Sequence, residues 1–111
     1  MSWSARAREE LSAGRSVSVH PVGNSMSPRI KSHASVLLVP VSDPTALTTG
    51  DIVFVKVRGV WYLHLVVATD HARVQIANAR GRINGWASRH AVLGLATRIN
   101  NPGQHAPTVS R

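Results

Sequence analysis

Apolar positions change their spacing once along the chain. From Ser2 to Ala13 they recur every fourth residue, at Trp3, Ala7 and Leu11, which predicts a short helix with a thin apolar stripe. Ser2 is placed to cap it and Gly14 to end it. Beyond Gly14 the period shortens. Val17 and Val19 alternate with Ser16, Ser18 and His20, the mark of a half-buried strand. Val36 to Val41 is a continuous apolar run that Pro40 directs toward a sheet edge. Ile52 to Val57 and Val60 to Ala68 are rich in β-branched and aromatic residues, and Arg58-Gly59 between them predicts a tight hairpin. Val74 to Ala77 and Ala91 to Ile99 supply two more strands. The Gly- and Asn-containing stretch from Ala79 to Arg89 reads as a loop. From Asn100 onward Pro, Gly, Gln and Ser dominate. The expected architecture is one mostly-β domain over residues 1–99, with residues 1–14 as an N-terminal helix, about six strands, and residues 100–111 as a flexible C-terminal tail.

Composition narrows this further. With 111 residues, 43% of them apolar, the chain has room for one domain, and two would each be too small to hold a core. No apolar run reaches the ~20 residues of a membrane helix, so no membrane anchor is expected. No secretory signal pattern is present and there is no cysteine, so the expected location is cytoplasmic. Thirteen Lys+Arg stand against five Asp+Glu, for a formal net charge of +8. Lys31 and Lys56 are the only lysines. Such a field attracts nucleic acid non-specifically, or acidic protein surfaces. No basic run or helix-turn-helix pattern concentrates it into a reader of bases.

Four segments carry candidate chemistry. Gly23-Asn24-Ser25-Met26-Ser27-Pro28 is a polar turn between strands, in which Met26 is expected to plug into the core and present Ser25 at a fixed angle. Gly50-Asp51 precedes a strand, where the Asp51 carboxylate caps its own loop. His64 is a lone polar residue inside an apolar strand and must be either satisfied or functional. The fourth segment is the loop Ala79 to Arg89. Lys56 reads as a solvated strand residue. The other histidines, His20, His33, His71, His90 and His105, lack metal-ligand spacing, so no metal and no cofactor are expected. Trp61, Tyr62 and Trp86 are expected to pack in a small β core, with stacking on bases or lining a peptide groove as the alternatives and Trp86 the most exposed.

Taken in order, Gly-x-Ser-Met-x-Pro, Gly-Asp-Ile-Val-x-Val, a polar residue before Leu-Val-Val, and Gly-x-x-Asn resemble the superfamily of signal peptidases and LexA-type self-cleaving repressors. The resemblance spans Val19 to Ile99. It implies a coiled, mostly-β catalytic fold with Ser25 as nucleophile. It also implies His64, 39 residues downstream, as the general base, in the serine–histidine version of the family. Gly23 stands where some relatives place a hydroxyl donor, so the oxyanion site would rest on the backbone of the turn built by Gly23, Asn24 and Met26. The family pattern is broken at Arg82, where an aspartate is usual, and at Leu65, where an arginine is common. No Asp or Glu follows Asp70, so the aspartate that orients the base in the histidine branch is missing. Ser88 resembles a loop serine that contacts the base in bacterial signal peptidases and is the proposed orienting group. Ala13-Gly14 is a small-residue pair of the kind such repressors cut, but it lies too close to Ser25 for self-cleavage.

The resulting expectation is a soluble serine endopeptidase that acts on a protein or peptide substrate in trans. The alternative is a catalytically inactive binding module on the same fold, contacting nucleic acid or an acidic protein. The Ser25–His64 distance discriminates between the two.

Overall fold

The computed structural model describes residues 2–103 and 108–109. Helix α1 (Trp3–Ser12) starts as expected, with the Ser2 side chain accepting a hydrogen bond from the Ala5 N–H at 3.1 Å. Eight strands follow: β1 (Val17–Val19), β2 (Ser35–Pro40), β3 (Ile52–Val57), β4 (Val60–Thr69), β5 (Arg73–Ala77), β6 (Ile83–Ser88), β7 (Val92–Asn100) and β8 (Thr108–Val109). Every pairing is antiparallel. The main sheet runs β1-β2-β7-β3-β4-β5-β6, and β8 adds to β7. Among the described residues no helix is long and apolar enough to cross a membrane.

Strand β3 is buried on both faces, which its unbroken apolar run requires. Ile52 and Phe54 join one core with Ala7, Leu11, Met26, Ile30, Leu38 and Ile99. Val53, Val55 and Val57 join a second with Val66, Val74, Ile76 and Val92. Helix α1 and the chain between β1 and β2 cover the first core. Gly94 lets α1 approach β7, because a Cβ there would sit 2.7 Å from Leu11 Cδ1. The β3–β4 hairpin turns at Arg58 and Gly59, both at positive φ (51° and 83°), as a two-residue turn between twisted strands demands.

Three expectations are corrected. The segment read as a loop contains β6: its buried positions are Gly85 and Ala87, too small to give an apolar signal, and pairing with β5 makes it a strand. Asn100 and Asn101, read as the start of the tail, belong to the folded domain. Asn100 is the last residue of β7, and Asn101 is buried with its Oδ1 accepting from the Lys31 N–H (2.8 Å) and its Nδ2 donating to the Arg29 carbonyl (3.0 Å). Thr108 and Val109 pair with Ile99 and Arg98. The rest of that expected tail, residues 104–107 and 110–111, lies outside the described residues, as does His105. Finally, Pro40 is not on an edge strand. It pairs with Gly94 and lies beyond Val17, which pairs with Leu38 at the end of β1, so its missing N–H disrupts no β1 bond.

Candidate active site

Ser25 sits in the turn-rich segment between β1 and β2, and Met26 beside it is only 4% exposed. Met26 anchors the turn in the first core as expected, leaving Ser25 exposed. The Met26 carbonyl accepts from the Ile30 N–H (2.9 Å) and the Asn24 carbonyl from the Ser27 N–H (3.1 Å), so the turn closes on itself. Ser25 is also held from behind: its carbonyl accepts from the Ala79 N–H at 3.0 Å. Residues 78–82 form a tight turn in which Asn78 Oδ1 accepts from the N–H groups of Arg80 and Arg82 (both 2.9 Å).

His64 lies in β4, opposite Val53 of β3, and is 7% exposed. Its Nε2 is 3.1 Å from Ser25 Oγ and its Nδ1 is 2.7 Å from Asn84 Oδ1. An amide oxygen only accepts, so Nδ1 carries the proton and Nε2 presents its lone pair to the serine hydroxyl. Burial pushes the His64 pKa below its ordinary value, and the hydrogen bond to Asn84 opposes that shift. The ring is therefore neutral around pH 7 and able to accept a proton.

Asn84 reaches the ring through a break in the β5–β6 ladder. Gly85 pairs with Ile76 and Ile83 with Ala77, so Asn84 is the extra residue of a β-bulge. A bulge re-aims the side chain it carries. Asn84 had been no more than part of a motif. The bulge that aims it has no sequence mark, although Gly-x-x-Asn was the available hint. Ser88, expected to orient the base, does something else: its Oγ caps the 3-10 turn Arg89–Ala91 by accepting from the His90 N–H (3.2 Å). It lies four residues along β6 from Asn84, at the opposite end of the strand, where Arg73 pairs with it.

Gly23, also placed at the site, lines the cleft, but its N–H is committed to Ser32 Oγ (3.1 Å). Among the described residues the N–H groups of Asn24, Ser25 and Met26 donate no hydrogen bond. Asp51 is buried and its Oδ2 accepts from the Thr48 N–H (2.9 Å), the loop-capping role expected of it. Lys56 is exposed on β3.

The serine and histidine open onto a cleft of about 260 Å³ walled by Trp3, Val22, Met26, Ile30 and Trp61, with Lys31 at its rim. Trp61 is fixed by stacking on Phe54 at 4.9 Å, and Tyr62 lies against the His64 ring at 4.8 Å. Trp86 stands apart on β6, 39% exposed beneath the Arg73 guanidinium. Beside the cleft, β5 ends at Ala77, opposite Leu65, so residues 60–64 of β4 have a ladder partner on the β3 side only, among the described residues. Comparison with family models, with curated proteins and with solved structures returned no match in any of the three.

Proposed function

We propose that the protein is a serine endopeptidase of the signal-peptidase and LexA-like type, with Ser25 as nucleophile and His64 as general base. The observation that carries this reading is the unbroken line Ser25 Oγ–His64–Asn84 at 3.1 and 2.7 Å. A serine hydroxyl is a weak nucleophile until a neighbour takes its proton. Here the neighbour is a neutral imidazole with its lone pair already directed at that hydroxyl. Asn84 replaces the missing aspartate: it holds the tautomer and the ring, but it offers an imidazolium less stabilisation than a carboxylate would.

The reaction follows from these positions. Oγ attacks the scissile carbonyl as its proton moves to Nε2. The developing oxyanion meets the undonated N–H groups of the Ser25 turn, a contribution of about 3 kcal/mol per donor. His64 returns the proton to the leaving amine, and the C–N bond breaks to leave an acyl-serine. Water, deprotonated by His64, then attacks the acyl carbon; the C–Oγ bond breaks, His64 returns the proton to Ser25 Oγ, and the carboxylate leaves. The unpaired side of β4 at residues 60–64 supports an extended substrate adding as a strand beside His64.

The test is digestion of a proteome-derived peptide mixture read by mass spectrometry, comparing the protein with Ser25→Ala and His64→Ala from pH 6 to 9. Cuts that vanish in both variants support the reading. Normal cutting by Ser25→Ala overturns the Ser25 mechanism and points to a contaminant, and no cutting by the unaltered protein overturns the reading in favour of a binding module.

A further inference from the structure

The five acidic side chains all lie away from the cleft. Glu10 pairs with Arg15 and Asp70 with Arg73. Asp43 caps the 3-10 turn Pro44–Ala46, and Asp51 is buried in its own loop. Glu9, exposed on α1, does not line the cleft either. The cations are distributed differently. Lys31 is at the cleft rim, and Arg8 Cζ lies 5.6 Å from the ring centre of Trp61, which walls the cleft. Arg29 stands two residues before Lys31, in the segment clamped by Asn101. Arg80 and Arg82 are exposed on the turn bonded to the Ser25 carbonyl. Among the described residues none of these five forms an ion pair.

We propose that the cleft takes an acidic, extended segment of a partner protein, with an apolar side chain among Val22, Met26 and Ile30 and carboxylates on the flanking residues meeting Arg8, Lys31, Arg80 and Arg82. This rests on the endopeptidase reading for what happens next, but not for binding. Residues 100–111 do not supply the occupant, because they contain no Asp or Glu. A second copy carries the same +8 and is repelled. Nucleic acid fits less well. One face of Trp61 is stacked on Phe54 and Arg8 lies over the ring, so the aromatic wall offers no open platform for a base.

Binding is measured by fluorescence anisotropy of the Ser25→Ala protein with two labelled peptides, one carrying Asp and Glu around a central Leu and the other carrying Asn and Gln instead. A single-stranded oligonucleotide serves as a third probe. The acidic peptide is expected to bind at least tenfold tighter than its neutral counterpart, with the difference shrinking between 50 and 500 mM salt, roughly as the Debye length falls from ~14 to ~4 Å. Lys31→Gln/Arg82→Gln should weaken the acidic peptide roughly 3- to 10-fold and leave the neutral one unchanged. Arg15→Gln, beyond the end of α1 opposite Trp3, should change neither. Equal binding of the two peptides, or tighter binding of the oligonucleotide, overturns the proposal. Cutting of peptides by the unaltered protein without acidic preference removes this proposal and leaves the endopeptidase standing. Acidic-peptide binding without any cutting does the reverse.

Discussion

His64 is the residue on which both structure and chemistry turn. It is buried, yet both of its ring nitrogens are engaged, which is how a polar side chain survives inside an apolar strand. Its pKa is lowered chiefly by burial, and Asn84 pulls it back up. Removing Asn84 therefore lowers it further. In Asn84→Ala the acid limb of the rate profile should move to lower pH, with kcat/KM about 10- to 100-fold down because tautomer and ring are no longer held. Asn84→Asp places an anion on Nδ1–H and should move the same limb to higher pH. A pH–kcat/KM series on the three proteins reads both shifts, and a limb that stays fixed would remove His64 as the base. The same shift has a stability consequence. The folded His64 binds its proton less readily than the unfolded one, so stability should fall as pH drops below about 6.5, through the lowered folded value. His64→Gln should flatten that fall in a denaturation series.

At the scale of elements, the Ser25 segment is a loop made rigid by anchors at several points. Met26 plugs the core, the Ala79 N–H holds the Ser25 carbonyl, and Asn101 fastens the backbone at Arg29 and Lys31. Asn101→Ala leaves a backbone donor and acceptor without their partner and should cost about 1–3 kcal/mol in a denaturant titration. It should also lower kcat/KM, because the loop that presents Ser25 is loosened. Met26→Ala removes a core side chain and should cost about 2–5 kcal/mol, while Met26→Leu costs less than about 1.5. The strands that bury Val, Ile, Leu and Phe were legible in the sequence because that burial needs an apolar run: β3, β4 and the β3–β4 turn lie where the pattern put them. Strand β6 was not legible, since Asn84, Gly85 and Ser88 read as loop residues and only pairing with β5 makes them a strand. Asn101 was hidden for a similar reason, as a polar residue in a Pro- and Gly-containing stretch gives no sign of burial. His64 stood out as a polar residue inside an apolar strand, and Ser25 because apolar Met26 interrupts the polar turn beside it and the Ser-Met-x-Pro motif carries the family resemblance. Asn84 did not, because its role depends on a bulge set by two strands.

For the whole molecule, the decisive feature is that the two cores share a strand. Along β3, Ile52 and Phe54 face one core while Val53, Val55 and Val57 face the other. Neither core can open without exposing one face of β3. The three site residues straddle this division. Ser25 rides on the first core through Met26, Asn84 comes from β6, whose Ala87 belongs to the second, and His64 sits in β4, which contributes Leu63 and Leu65 to the first and Val66 to the second. The 2.7 and 3.1 Å contacts at His64 therefore hold only while both cores are intact. Unfolding should accordingly be one cooperative transition. Trp3 and Trp61 flank Phe54 in the first core, and Trp86 lies on β6, the strand that gives Ala87 to the second. Tryptophan emission measured separately in Trp86→Phe and in Trp3→Phe/Trp61→Phe should give midpoints that coincide with far-UV circular dichroism of the same variant. Phe54→Ala, on one face, and Val55→Ala, on the other, should each shift that single transition without splitting it, Phe54→Ala by about 3–5 kcal/mol. Emission and circular dichroism midpoints that separate would mean the cores melt independently, and the site would then be lost before the fold.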